Sequence, residues 1–189
     1  MINSLLSSSS VRLALLVSAL AVSSVLAGPD IPNGDMIEGE ETPFGWSKPW
    51  QAKEDAAEPA KLTLDKEEFV SEPASLKLTS NTETGQVSTQ LVVTESPEGT
   101  VAAETFTVSG QVKFMGTSTG IAVVAITGLG PGWKQTFRKD LTSARNAGSK
   151  WTSFSTPVTL PDGLKRVLIE VSIVEGEGTV WVDDLKTED

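Results

Sequence analysis

From residue 75 to residue 186 the sequence keeps returning to a two-residue rhythm of apolar and polar side chains. Leu76 and Leu78 alternate with Ser75, Lys77 and Thr79. Val87, Leu91 and Val93 share one parity, while Ser88 and Gln90 take the other. Phe106, Val108, Val112 and Phe114 fall on even positions through Gly110, which leaves Thr107, Ser109, Gln111 and Lys113 on the opposite side. Val167, Ile169, Val171 and Ile173 alternate in the same way with Leu168, Glu170, Ser172 and Val174, and a last strand runs from Thr179 to about Lys186. Successive side chains of a strand point to opposite faces, so this rhythm describes strands with one buried and one wet side. Ile121 to Ile126 is apolar on both parities and β-branched, as a central strand buried on both faces requires.

Turn chemistry separates these runs: Ser96-Pro97-Glu98-Gly99, Gly128 to Gly132, Asn146-Ala147-Gly148, Pro161-Asp162-Gly163 and Gly176-Glu177-Gly178. Seven to ten short strands at this spacing, with no sustained helical period, predict an all-β fold, a two-sheet antiparallel β-sandwich. The Ala-, Glu- and Lys-rich stretch Gln51 to Ala60 is compatible with a short helix or a solvated loop.

Residues 1–27 have the pattern of a secretory signal. Arg12 is the one charged residue, Leu13 to Leu26 is an apolar run broken by serines, and Val25-Leu26-Ala27 offers a cleavage site. Export to the periplasm, the cell surface or the medium is therefore expected, with residues 28–189 forming one domain. No later stretch is apolar enough to span a bilayer. The chain has no Cys, no His and no Tyr. Thiol nucleophiles, imidazole bases and disulfides are thereby excluded, and so are zinc sites built from Cys and His. A formal charge of −10 argues against nucleic acid, which attracts basic surfaces. Pairs of carboxylates occur by chance among 25 acids and carry no information about glycosidase chemistry. The residues thus point away from an enzyme.

Asn33-Gly34-Asp35-Met36 with Glu38 and Gly45-Trp46, Glu72-Pro73-Ala74-Ser75-Leu76-Lys77-Leu78, Phe106-Thr107-Val108-Ser109, Lys150-Trp151 with Phe154 and Pro157-Val158, and Val180-Trp181-Val182-Asp183-Asp184-Leu185 follow one another at domain spacing. In this order they resemble a CenC-type carbohydrate-binding module, a galactose-binding-like β-jelly-roll. The resemblance runs over residues 31–187. It implies a jelly roll, a polysaccharide or oligosaccharide partner, and one structural calcium held by a Glu near the first strand and an Asp of the closing strand. Here those would be Glu38 with Asp183 and Asp184. The pattern departs at Ile37, where the family places the Glu, so that Glu38 comes one residue late. The other account of the acid pair is that one Asp meets Lys or Arg while its neighbour is solvated.

Sugar-binding surfaces stack rings on exposed indoles and orient them with amides and charged groups. Trp133, in the glycine-rich loop Gly128-Leu129-Gly130-Pro131-Gly132, and Trp50, after Lys48-Pro49, are the candidate platforms. Trp46 and Trp151 are expected in or at the edge of the core. Trp181 points away from Val180 and Val182, either plugging one end of the sandwich or lying half exposed. Gln90, Gln111, Lys113 and Glu170 line a ligand groove if their strands share one sheet. Two functions follow from this reading: a non-catalytic glycan-binding domain, or a β-sandwich that serves a structural or protein-interaction role without a sugar site.

Overall fold

The structure is a computed structural model that describes residues 28–52, 59–83, 85–96, 98–145 and 150–188. The signal segment 1–27, most of the Gln51 to Ala60 stretch, Pro97 of the first turn and the Asn146-Ala147-Gly148 turn lie outside the described residues.

Among the described residues ten strands form, β1 (Trp50–Gln51), β2 (Lys61–Asp65), β3 (Ser75–Ser80), β4 (Gln86–Glu95), β5 (Thr105–Gly116), β6 (Ile121–Leu129), β7 (Gln135–Arg145), β8 (Thr152–Thr159), β9 (Arg166–Val174) and β10 (Gly178–Glu188). They make two antiparallel five-stranded sheets, ordered β1-β4-β9-β6-β7 and β2-β3-β10-β5-β8. The β-sandwich expected from the alternation is what the chain adopts.

The alternation places the core. Val87 and Leu91 of β4, Ala122, Val124 and Ile126 of β6, and Val167, Ile169, Val171 and Ile173 of β9 meet Leu76, Leu78, Val108, Val112, Val180 and Val182 from the opposite sheet. Burying such aliphatic side chains supplies roughly 1.5–3 kcal/mol each. Gly110 keeps the even parity of β5, and a Cβ there would press on Leu185 and Phe154, which occupy the space. Before the first strand, residues 28–46 are tied to β10: Leu185 N–H donates to Gly34 O at 2.9 Å, and Thr187 Oγ1 donates to Pro29 O at 3.1 Å. The Asn33 amide closes the following loop. Its Nδ2 donates to Glu38 O at 2.9 Å and Phe44 O at 3.1 Å, while its Oδ1 accepts from Glu38 N–H at 2.8 Å.

Candidate functional site

The two outer faces of the sandwich differ. On the β2-β3-β10-β5-β8 sheet, Trp181 is buried on the outer side rather than in the core. Its Nε1 donates to Asp65 Oδ2 at 2.8 Å. Lys113 Nζ lies 5.0 Å and Lys77 Nζ 5.5 Å from the ring centroid. These ammonium groups are themselves paired, Lys77 with Asp65 at 2.9 Å and Lys113 with Glu68 at 2.7 Å. Burial of Asp65 favours its neutral form. The indole and ammonium hydrogen bonds, joined by the N–H groups of Glu67 and Glu68, outweigh it and hold the carboxyl at about 2. This face is sealed by its own charges.

Gln111 and Lys113 stand on β5 and therefore belong to this sealed sheet. They do not share a groove with Gln90 and Glu170, because β5 pairs with β10 and β8 while Gln90 and Glu170 lie in the other sheet. Gln111 accepts from Ser153 Oγ at 3.0 Å, and Lys113 is buried in its ion pair. Alternation gives a side chain's parity along its own strand. It does not say which sheet the strand joins.

On the other sheet the outward parity runs Arg166, Leu168, Glu170 and Ser172 along β9. Gln90 and Ser88 of β4 sit directly opposite Glu170 and Ser172. On the far side, Ala125 and Val123 of β6 oppose the same two residues. Beyond them, Arg138 and Asp140 of β7 stand opposite Thr127 and Ala125. Small buried residues (Ser88, Ser172, Ala125 and Thr127) form the floor. Trp50 pairs with Ser88 at the β1 edge and is 58% exposed. Beside it is a pocket of about 320 Å³ lined by Ser47, Trp50, Gln86, Ser88, Gln90 and Glu170.

Glu170 is the one carboxylate of that pocket and is nearly buried. It accepts from Gln90 Nε2 at 3.0 Å, Arg138 Nη1 at 2.8 Å and, more weakly, Gln86 Nε2 at 3.4 Å. Burial by itself disfavours the charged Arg138, yet the hydrogen bond and charge of Glu170, aided by Asp140 at 3.0 Å, raise its pKa above the ordinary guanidinium value. The network spends Glu170 on orientation. It fixes the side-chain amides of Gln86 and Gln90.

Trp133 lies toward one end of this face. It closes the 3₁₀ turn Pro131–Trp133 and is 52% exposed, with its ring 4.7 Å from the Arg166 guanidinium carbon. The structure thus brings Trp50, Gln90, Glu170 and Trp133 to one face. Sequence reasoning missed Gln86 and Arg166, and noted Arg138 only as a neighbour of the Trp133 loop, not as the partner of Glu170. Their outward parity on β4 and β9, and the charged edge strand β7, were the available signals. Trp46 is in the core, and Trp151 is half-buried.

The acids named for a metal divide. Both oxygens of Asp183 are taken by donors: Oδ2 by the N–H groups of Val70 and Ser71 at 2.7 and 2.8 Å, Oδ1 by Ser71 Oγ and Asp184 N–H at 2.8 and 2.7 Å. Glu38 and Asp184 line a separate pocket of about 480 Å³ with Asp30 and Asp35, and Lys186 Nζ approaches Asp184 at 3.8 Å. Among the described residues no three acids converge closely enough to share an ion. The carbonyls of Glu38 and Phe44 are meanwhile occupied by the Asn33 amide. Asp183 does not fit a calcium ligand, since its lone pairs already face N–H and O–H groups.

No known family profile and no curated protein matches the sequence. Solved structures do match in shape. The CBM22-1 xylan-binding domain from Paenibacillus barcinonensis Xyn10C superposes with a TM-score of 0.54 at 15% identity, over 79% of this chain and 88% of that one. The family 11 carbohydrate-binding module from Clostridium thermocellum, solved with a β-1,3-1,4-mixed-linked tetrasaccharide, gives 0.54 at 16% identity over 82% and 92%. The enzymatically active domain of bacteriophage CBA120 tailspike protein 4 gives 0.61 at 13% identity, over 84% of this chain but only 21% of that one. At these identities the likeness is one of fold: the chain shares a two-sheet β-sandwich with these structures. Among the described residues no helix is long and apolar enough to cross a membrane.

Proposed function

We propose that this chain is an exported, non-catalytic carbohydrate-binding domain. It takes a glycan, as the CenC-type resemblance implies, and we place that glycan on the outer face of the β1-β4-β9-β6-β7 sheet. One observation carries the reading: two half-exposed indoles flank a single face whose middle holds oriented amides around a neutralised carboxylate. An indole left in water forgoes the free energy that burial would supply, so two of them on one face are explained by a ligand that covers them. Trp50 offers a ring face to the C–H side of a pyranose. Gln86 and Gln90 present amide oxygens to its hydroxyls. Export rests on the pattern of residues 1–27.

No hydrolytic step is assigned to the site: Glu170 is the one carboxylate lining the pocket among the described residues, and both it and the neighbouring Asp140 are held in ion pairs with Arg138. Calcium plays no part in the proposal, because Asp183 is filled by protein donors.

The test is affinity electrophoresis in gels containing xylan, mixed-linked β-1,3-1,4-glucan, galactan or an acidic polymer. Retardation by at least one polymer, abolished by Trp50→Ala, is expected. Migration unchanged in every gel would sink the proposal. It would favour the protein-interaction reading, which has the exposed Ile37 and Phe44 of the 33–46 loop on its side.

A further inference from the structure

We infer that this face carries two separated stacking subsites, and that Arg166 and Glu95 are positioning residues that hold the distal one, Trp133. The inference rests on the glycan reading and adds a dependence on ligand length.

The backbone gives the first reason. Trp133 has φ +60°, in the left-handed region that bulky residues rarely adopt, directly after Gly132 at φ +71°. The loop closes on itself through Gly130 N–H to Lys134 O at 2.8 Å and Trp133 N–H to Gly130 O at 3.1 Å. Strain of this kind persists when surrounding structure enforces it. Here burial of the indole is not the compensation, because half of the residue stays exposed.

What the indole does have is a support. The Arg166 guanidinium lies against the ring, and Arg166 Nη2 is anchored to the Glu95 carboxylate at 2.8 Å. Glu95 ends β4, and Arg166 begins β9 as its register partner. Two neighbouring strands of the sheet therefore fix the height of the ring. A planar cation stacked on an indole fixes its tilt better than an aliphatic contact would. With Arg166 on one side of the ring, the exposure belongs to what remains.

The register gives the separation. Arg166 and Ser172 share the outward parity of β9 and are six residues apart, roughly 20 Å at about 3.3 Å per residue. Ser172 opposes Ser88, and Ser88 opposes Trp50. The two indoles thus stand toward opposite ends of one face, with Gln90 and Glu170 between them. Among the described residues, Thr127 Oγ1 and Ser172 Oγ are buried beneath that stretch with no protein partner. A short oligosaccharide fills the Trp50 pocket alone. A chain that reaches both rings gains the second contact as an intramolecular event.

The experiment is titration calorimetry of the purified protein with xylo-oligosaccharides and mixed-linked β-1,3-1,4-gluco-oligosaccharides, from disaccharide upward. Affinity is expected to rise with length and then level off. Trp133→Ala should weaken the longest chains by about tenfold, a small part of what a linked second contact can add, and leave the shortest binder within about twofold. Glu95→Gln should reproduce part of that loss with the same length dependence, and Arg166→Lys should retain more affinity for long chains than Arg166→Ala. Iodide quenching of tryptophan fluorescence should change in Glu95→Gln, reporting the moved ring. If Trp133→Ala weakens all lengths equally or none, the inference is overturned while the glycan reading stands. If the unaltered protein binds no chain of any length, the glycan reading itself fails.

Discussion

Replacing Asp183 with asparagine isolates the part of this fold that the sequence makes look like a metal site. The side chain is fully buried and accepts four hydrogen bonds, from the N–H groups of Val70, Ser71 and Asp184 and from Ser71 Oγ. Asparagine keeps the volume but turns one oxygen into an NH₂ group. Set toward Ser71 Oγ and the Asp184 N–H, it lets the hydroxyl reverse and accept but loses the Asp184 bond, and the two bonds to the remaining oxygen lose the ionic contribution. Hydrogen bonds to a charged group contribute about 1.5–3 kcal/mol each, and partial relaxation of the 66–73 loop recovers some of that. A net loss of about 3 kcal/mol is expected, a fall in Tm of about 6–12 °C for a chain of this length.

Urea denaturation followed by tryptophan fluorescence measures it, run with excess calcium and again with chelator. The unaltered protein should give the same midpoint in both conditions, with Asp183→Asn displaced by the same amount in each. A variant within about 0.5 kcal/mol of the parent would show that the four contacts do not hold the loop. A parent destabilised by chelator, beside a variant that is indifferent to it, would restore the calcium account and refute the donor-filled reading of Asp183.

Three further outcomes follow from neighbouring geometry. Asp65 is held at about 2 against an ordinary 3.8, so its contribution is complete above pH 4 and is lost as pH falls toward 2, about 2 kcal/mol in all. Trp181→Phe removes one of the lowering hydrogen bonds; NMR titration should show the Asp65 pKa rise, with the acid loss of stability beginning at higher pH. Thr127→Val deletes a buried hydroxyl that has no partner and should leave Tm unchanged or raise it by a few degrees; a fall of more than 1 kcal/mol would mean that the hydroxyl is satisfied. Gly34→Ala drives a Cβ into the Leu185 carbonyl and endangers the Leu185 N–H to Gly34 O bond, so a loss of about 3 kcal/mol is expected by chemical denaturation.

Six of the ten strands were legible, β6 as an apolar run and β3, β4, β5, β9 and β10 by alternation, because each has one parity in the core. The other four, β1, β2, β7 and β8, are the edge strands of the two sheets and bury few side chains each. β1 has two residues, and β7 reads Gln-Thr-Phe-Arg-Lys-Asp-Leu-Thr-Ser-Ala-Arg, with charges on both parities and Leu141 as its one fully buried side chain. The site was half legible for a related reason. Trp50, Trp133, Gln90 and Glu170 have the right chemistry and parity, but Gln111 and Lys113 have them too. What separates the two sets is strand pairing between residues some 80 positions apart, as in Gln90 with Glu170, and that lies beyond any local window.

The five tryptophans give the strongest argument about how this sandwich divides its labour. Trp46 joins the core, and Trp181 is capped on an outer face by Lys77, Lys113 and Asp65. The chain therefore has the means to cover an indole even on the wet side of a sheet, using paired charges whose ammonium groups lie over the ring. Among the described residues no such pair of charges covers Trp50, which is 58% exposed. At Trp133 the chain places one guanidinium against the ring and leaves half the residue in water. The contrast lies within one molecule and between equivalent faces, so general surface composition does not account for it. Stability alone favours capping in all three places. The uncapped pair shares the face whose amides are already oriented by Glu170 and Arg138, and a ligand that supplies the missing cover reconciles the two arrangements.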